Sequence, residues 1–169
     1  NKEGLRLISL IEDIMRLSKI EEGINIDSNN LVNLKETAMD TIALLKSKAE
    51  KSNIKINLQA ENISIKANKN YISELFYNLI DNAIKYNKKN GSVDVIIYKY
   101  GNKIFINIKD TGIGISKDHH SIIFERFYRG DKSRSKETGG TGLGLSIVKH
   151  ITELYEGTIE LKSRENIGT

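Results

Sequence analysis

Cysteine is absent from the 169 residues, so neither a disulfide framework nor a thiolate metal site can form, and cysteine usage leaves the redox compartment open. No stretch approaches the roughly 18 uninterrupted apolar residues of a membrane-spanning helix. The N-terminus has no signal-peptide pattern. Any anchor of a parent protein would lie outside this sequence. Runs of five or six basic residues are missing too: the formal charge is only +4, and Asp and Glu are scattered among the lysines. A solvated surface of mixed charge accounts for that pattern better than nucleic-acid binding, for which there is no reading helix or aromatic stacking platform.

What is present, 38% apolar and 28% charged residues, is the composition of a soluble globular protein. This length holds one compact domain plus a short appendage, hence one main site. Leu7, Leu10, Ile11, Ile14 and Leu17 recur at steps of three and four, with Arg6, Glu12, Asp13, Arg16 and Lys19 between them. That spacing predicts an amphipathic helix from Glu3 to about Glu22 with an apolar seam for a partner. Gly23, then Asp27, Ser28, Asn29 and Asn30, predict its end and a turn. Residues 1–23 are therefore the appendage and 24–169 the main domain.

Within that domain a short strand is expected from Leu31 to Leu34, and a helix from Leu34 to about Lys51 carrying Ala38, Ile42, Leu45 and Ala49. Ile54, Ile56 and Leu58, then Ile63 and Ile65, alternate with polar residues across Ala60-Glu61-Asn62, which predicts a hairpin. A helix from about Lys69 to Tyr86 buries Leu75, Leu79, Ile80, Ala83 and Ile84. Alternating strands at Val93–Tyr98 and Ile104–Ile108 turn around Gly101-Asn102 and deliver Asp110 to the sheet edge. The long polar, glycine-bearing stretch at about 111–141 predicts a lid. A helix from Leu143 to about Leu154 and a last strand from Thr158 to Leu161 complete the chain.

Four segments carry residues suited to a nucleoside triphosphate and a magnesium ion. Asn78, Asn82 and Lys85 share one helix face. Amide oxygens suit a hard, hydrated ion held mainly by phosphates, and the lysine supplies a point charge for them; alone, the same face reads as solvated. Asp110-Thr111-Gly112-Ile113-Gly114-Ile115 follows a strand. Its glycines let backbone approach a flat ligand while the carboxylate accepts a hydrogen bond from an exocyclic amine such as adenine's; alone, it is also an ordinary glycine turn. Gly139-Gly140-Thr141-Gly142-Leu143-Gly144-Leu145 opens a helix, whose free N–H groups and dipole suit phosphate. Neither the P-loop nor the dinucleotide pattern is met there, and a lone glycine cluster is also a flexible loop. Ile123 to Arg129 is an aromatic-rich patch that pins the lid, and Arg129 could reach a terminal phosphate; the alternative is a small satellite core with a surface arginine.

In order and wording these segments resemble the asparagine, first glycine, phenylalanine and second glycine boxes of sensor histidine kinases. The resemblance runs from about Leu5 to the last residue, because Arg6 to Ile14 and Leu17 to Gly23 look like the end of the second dimerisation helix. It implies an α/β (α+β) two-layer sandwich, a mixed, mostly antiparallel sheet backed by helices, with a Bergerat-type ATP site between helix and lid. Asn82 would then be the main magnesium ligand with Asn78 beside it. Lys85 and Arg129 would contact phosphates, and with Asn78 they form the expected catalytic set. Tyr86 and Tyr128 would flank the nucleotide, and Asp110 would select adenine with Gly112, Gly114 and Ile115 nearby. Gly140, Thr141, Gly142, Leu143, Gly144 and Leu145 would wrap the triphosphate.

Gyrase and chaperone relatives place a water-activating glutamate four residues before the magnesium asparagine; here that position is Asn78, and an amide is no general base. Slow hydrolysis and transfer of the γ-phosphoryl to an imidazole nitrogen are therefore expected. The family's acceptor lies in a His-Glu/Asp-x-x-x-Pro segment, and this chain has no proline. His119, His120 and His150 are not expected to be acceptors. The implied partners are a histidine-bearing dimerisation domain of the same kinase, usually a homodimer, and a response regulator. The implied location is a cytoplasmic domain of a kinase anchored in the cell membrane. Asn166 to Thr169 looks like the start of the family's third glycine segment, normally followed by a strand. A non-catalytic nucleotide sensor and a serine kinase of the same superfamily are the alternatives.

Overall fold

The computed structural model describes residues 2–22, 30–130 and 140–169. In chain order the elements are α1 (Lys2–Glu21), β1 (Leu31–Asn33), α2 (Leu34–Lys51), β2 (Lys55–Ala60), β3 (Ser64–Lys66), α3 (Lys69–Lys85), β4 (Ser92–Tyr100), β5 (Lys103–Asp110) and α4 (Gly144–Leu154), with a 3₁₀ turn at Lys117–His119. They form an α/β arrangement with a mixed sheet, as the sequence predicts. β2, β4 and β5 make a three-stranded sheet in that order, and β1 pairs with β3 in a small second one.

Capping and periodicity explain the helices. Asn33 and Asn68 are the N-caps of α2 and α3, and their side chains accept hydrogen bonds from the Glu36 and Asn70 backbone N–H groups. α3 is buried on two sides, which makes it the centre of the helical layer. Ile72, Phe76, Ile80, Ala83 and Ile84 pack over Val93, Val95 and Ile97 of β4. Tyr71 and Leu75 instead join Leu143, Ile147, Val148 and Ile151 at α4, together with Leu17 and Ile20 of α1.

β4 and β5 pair antiparallel, and Tyr98 stacks on Phe105 with ring centroids 5.1 Å apart. The expected hairpin between β2 and β3 does not form. β2 runs parallel to β4, Lys55 opposite Ser92, and β3 pairs antiparallel with β1, Val32 opposite Ile65. Alternation specifies that a strand exists and which face it buries, not which strand it joins. Glu61 N–H donates to the Ile97 carbonyl, carrying the chain along β4 instead of reversing it, and Asn33 Nδ2 donates to Asn62 Oδ1 at 2.6 Å. Thr158 to Leu161 is likewise not a strand: among the described residues nothing forms a ladder with it, and Thr158, Ile159 and Glu160 are exposed. The bridge beyond it joins Arg164 to Gly168. α1 ends at Glu21; of the expected stop at Gly23 and turn at Asp27 to Asn30, only Asn30 is among the described residues, a bend whose carbonyl accepts from Ala67 N–H at 3.1 Å.

Candidate functional site

The C-terminal half of α3 and the end of β5 converge. Ile113 N–H donates to the Tyr86 carbonyl at 3.0 Å, and a Cβ on Gly112 would lie 2.4 Å from that same oxygen, so the loop after β5 lies directly on the end of α3. At its start, Asp110 Oδ1 accepts from Gly112 N–H at 2.7 Å and Thr169 N–H at 3.3 Å. Burial raises the Asp110 pKa above the ordinary aspartate value, against the lowering effect of these two donors. The loop continues through Gly114, held against the Arg164 carbonyl. Ile115 N–H donates to Ser163 Oγ at 2.8 Å, and His120 Nε2 meets the Ile115 carbonyl at 3.0 Å. The Ile115 main chain is thus engaged within the fold.

The glycine-rich loop touches α3 at both of its ends. A Cβ on Gly140 would fall 2.5 Å from Lys85 Nζ, and one on Gly144 would fall 2.7 Å from Asn78 Oδ1. Asn78 Nδ2 donates to the Glu74 carbonyl at 2.9 Å, which turns its amide oxygen toward the loop. Asn82, one turn on, is half-buried, and Lys85 Nζ sits 5.1 Å from the centroid of the half-exposed Tyr86 ring. Gly142 takes φ +79°, and its Cα lies against the Phe127 backbone, which joins the glycine loop to the aromatic patch.

Leu143, fully buried, anchors the start of α4 and precedes half-buried Leu145. Leu143, the N-cap residue, offers no side-chain hydrogen bond to that helix, and its own N–H donates to Thr141 Oγ1 at 3.3 Å, so the first-turn N–H groups of α4 have no capping side chain from the N-cap position. Tyr128 hydroxyl hydrogen-bonds His119 Nδ1, and Arg129 follows, half-buried, near the end of the described stretch 111–130. Gly139 falls outside the described residues.

Amide oxygen, ammonium and backbone donors therefore meet in one place, a donor set that fits magnesium held largely by phosphate oxygens. Among the described residues no group of three His, Asp or Glu could hold a metal by itself. The position four residues before Asn82 is an amide facing glycine, so no carboxylate stands there to activate water.

Sequence reasoning missed the contribution of α1. Thr141 Oγ1 donates to Asp13 Oδ2 at 2.6 Å, Glu21 pairs with Arg126, and His150 Nε2 lies 3.2 Å from Glu21. Arg16 lies 3.7 Å from Glu74, whose pKa is raised, chiefly by burial and further by Asp13, against the lowering effect of Arg16. These pairs join residues far apart in sequence and have no local signature. α1 also presents its seam in two directions: Leu17 and Ile20 are buried against α4, while Leu7, Ile8, Ile11, Ile14 and Met15 are exposed.

The described helices include none long and apolar enough to cross a membrane. Known proteins share both sequence and fold with this chain. The signal transduction histidine-protein kinase ArlS of Staphylococcus aureus (strain USA300) is 37% identical over 168 residues, covering 99% of this chain and 37% of that protein. The chain thus spans little more than a third of that relative's length. The catalytic domain of histidine kinase ThkA superposes with a TM-score of 0.71 at 27% identity, over 82% of this chain and 90% of that one. ThkA in complex with response regulator protein TrrA gives a TM-score of 0.73 at 24% identity, over 98% of this chain and 46% of that one, a likeness of fold. Residues 67–169 match the family described as histidine kinase-, DNA gyrase B-, and HSP90-like ATPase. That span begins just before α3 and takes in the asparagine helix, both glycine loops and the aromatic patch, and with it the chain belongs to this ATPase family.

Proposed function

We propose that this chain is the ATP-binding catalytic domain of a sensor histidine kinase, which transfers the γ-phosphoryl of ATP to a histidine on a dimerisation domain. What carries this reading is the contact of the glycine-rich loop with α3, Gly140 against the Lys85 ammonium and Gly144 against the Asn78 amide oxygen. The residue types that neutralise, coordinate and cradle a triphosphate are assembled there, and the position four residues before Asn82 is an amide in place of a water-activating carboxylate.

Asn82 and Asn78 would hold magnesium, which supplies charge neutralisation for the phosphates when bound. Lys85 and Arg129 would steady the transferring phosphoryl, and Gly140, Thr141, Gly142, Leu143, Gly144 and Leu145 would enclose the triphosphate. Asp110, beside Gly112, Gly114 and Ile115, would accept the adenine amino group, with Tyr86 and Tyr128 flanking the nucleotide. Phosphoryl transfer to an imidazole needs positioning and electrostatic stabilisation more than proton abstraction, which suits an amide at position 78. The three histidines of this chain are engaged within the fold, His119 with Tyr128, His120 with Ile115 and His150 with Glu21, so the acceptor belongs to another segment.

Residues 1–23 would be the tail of the dimerisation helix and 24–169 the catalytic domain, with its lid at about 111–141. The parent would be a homodimer in the cell membrane, exposing this domain to the cytoplasm and to a response regulator. ThkA, whose fold this chain shares, has been solved with the regulator TrrA. The test is to mix the chain with a histidine-bearing dimerisation fragment, magnesium and γ-labelled ATP. Acid-labile, base-stable label on the fragment is expected, abolished by Asn82→Ala; nucleotide binding without any transfer refutes the kinase assignment in favour of a sensor.

A further inference from the structure

We infer that Asn87 is a positioning residue: its amide fixes the distance between the base-reading end of the site at Asp110 and the phosphate-side helix α3. This assignment rests on Asp110 as the adenine contact and deepens that reading.

Asn87 stands just past the end of α3 and touches three segments. Its Oδ1 accepts from Thr111 Oγ1 at 3.1 Å and from Lys88 N–H at 2.9 Å, while its Nδ2 donates to the Ser92 carbonyl at 2.9 Å. The circuit closes on itself, because Thr111 Oγ1 accepts from Ser92 N–H at 2.9 Å and Thr111 N–H donates to the Ser92 carbonyl at 3.2 Å. A Cβ on Gly91 would lie 2.2 Å from Asn87 Oδ1 and 2.7 Å from Thr111 Oγ1, so the circuit occupies the space a side chain would need.

The consequence follows from where these segments lead. α3 carries Asn78, Asn82 and Lys85, and β5 ends in Asp110, adjacent to Thr111. A nucleotide has a fixed reach between its base and its phosphates, and hydrogen bonds weaken over a few tenths of an ångström. Whatever sets the spacing of α3 and Asp110 therefore sets whether both ends are satisfied together. The Ile113–Tyr86 backbone bond joins the two elements at one point. Asn87 adds a second polar point, directly to Thr111 and through Ser92 at the start of β4, which sets the end of α3 against the Asp110 loop more finely than the apolar packing of α3 on the sheet. An amide is required because one side chain must accept from Thr111 and donate to Ser92; a hydroxyl is too short for both, and a carboxylate loses the donor.

The experiment measures magnesium-dependent binding of ATP and of inosine triphosphate, which bears an oxygen in place of the adenine amino group, to the whole chain and its variants. Asn87→Leu is expected to weaken ATP by about tenfold, the loss of one to two net hydrogen bonds, while inosine triphosphate loses less, so that the preference for ATP shrinks. Thr111→Val, which removes the other end of the same bond, does likewise and serves if Asn87→Leu fails to fold; Thr111→Ser restores the hydroxyl and the preference. A lowered melting temperature with the preference intact means that Asn87 is merely structural and overturns the inference. Asp110→Asn is the companion variant. If it alters the preference and the Asn87 and Thr111 variants do not, the inference alone fails; if it leaves the preference untouched, the adenine reading fails and takes the inference with it.

Discussion

If Asp110 is the adenine contact, as proposed, replacing it by asparagine tests that contact with nearly constant shape. Both backbone donors, Gly112 N–H at 2.7 Å and Thr169 N–H at 3.3 Å, converge on the same carboxylate oxygen. In Asp110→Asn the one remaining acceptor must stay on them, since turning the NH2 group inward would set donor against donor. The NH2 then takes the place of Oδ2 and meets the adenine amino group, another donor. A hydrogen bond to a charged acceptor contributes about 1.5–3 kcal/mol, so at about 1.4 kcal/mol per decade ATP affinity falls by about 10- to 150-fold. Nucleotides with a 6-oxo group gain a donor, and the preference narrows or inverts. Proton linkage gives a second signature. Burial raises the native pKa of Asp110, so the native state holds its proton to higher pH than the unfolded chain. Ionisation therefore works against folding above that native pKa, and the stability withheld there is regained as pH falls through it. The neutral variant loses this dependence. ATP binding moves the opposite way, weakening on acidification from a higher pH than an ordinary aspartate would give. Titration calorimetry with ATP and inosine triphosphate, and thermal melts across acidic pH, read both effects. Equal losses for the two nucleotides, or no loss, would refute the reasoning.

Three further outcomes are expected. Gly144→Ala forces a methyl to 2.7 Å from Asn78 Oδ1; magnesium-dependent ATP uptake is lost, while circular dichroism and the melting temperature change little because the position borders the loop rather than the core. Asp13→Ala frees the Thr141 hydroxyl and removes a carboxylate from beside the glycine loop. ATP affinity is expected to rise by about fivefold, roughly 1 kcal/mol, with a slightly lower melting temperature without nucleotide; unchanged affinity would mean that α1 does not oppose the triphosphate. Phe76 is fully buried between α3 and the sheet, so Phe76→Ala costs about 3–5 kcal/mol by urea denaturation, and a loss under about 1 kcal/mol would contradict that packing.

Much of the fold was legible because its signals are local. The helical spacing of Leu75, Ile80, Ala83 and Ile84 and the turn at Gly101-Asn102 gave α3 and the β4–β5 pair nearly to the residue. The β2–β3 hairpin failed because Ile54, Ile56, Ile63 and Ile65 alternate in the same way whichever strand they join, and the intervening turn does not reverse the chain. Thr158 to Leu161 failed for a related reason: alternation marks a segment able to pair, and no described strand lies alongside it.

The amino-acid sequence by itself determined which chemistry was available: amides at positions 78 and 82, a lysine at 85, an aspartate at a strand end and glycines at a helix start. It could do so because spacing along one helix or one loop fixes which groups share a face. Only the tertiary structure decided that Lys85 meets Gly140, that Asn78 meets Gly144, that Asn87 ties α3 to the Asp110 loop, and that Asp13 of α1 holds Thr141. Those meetings join residues 24 to 128 positions apart. At such separations contact is set by how helices stack on a sheet around one core, and no local pattern encodes that.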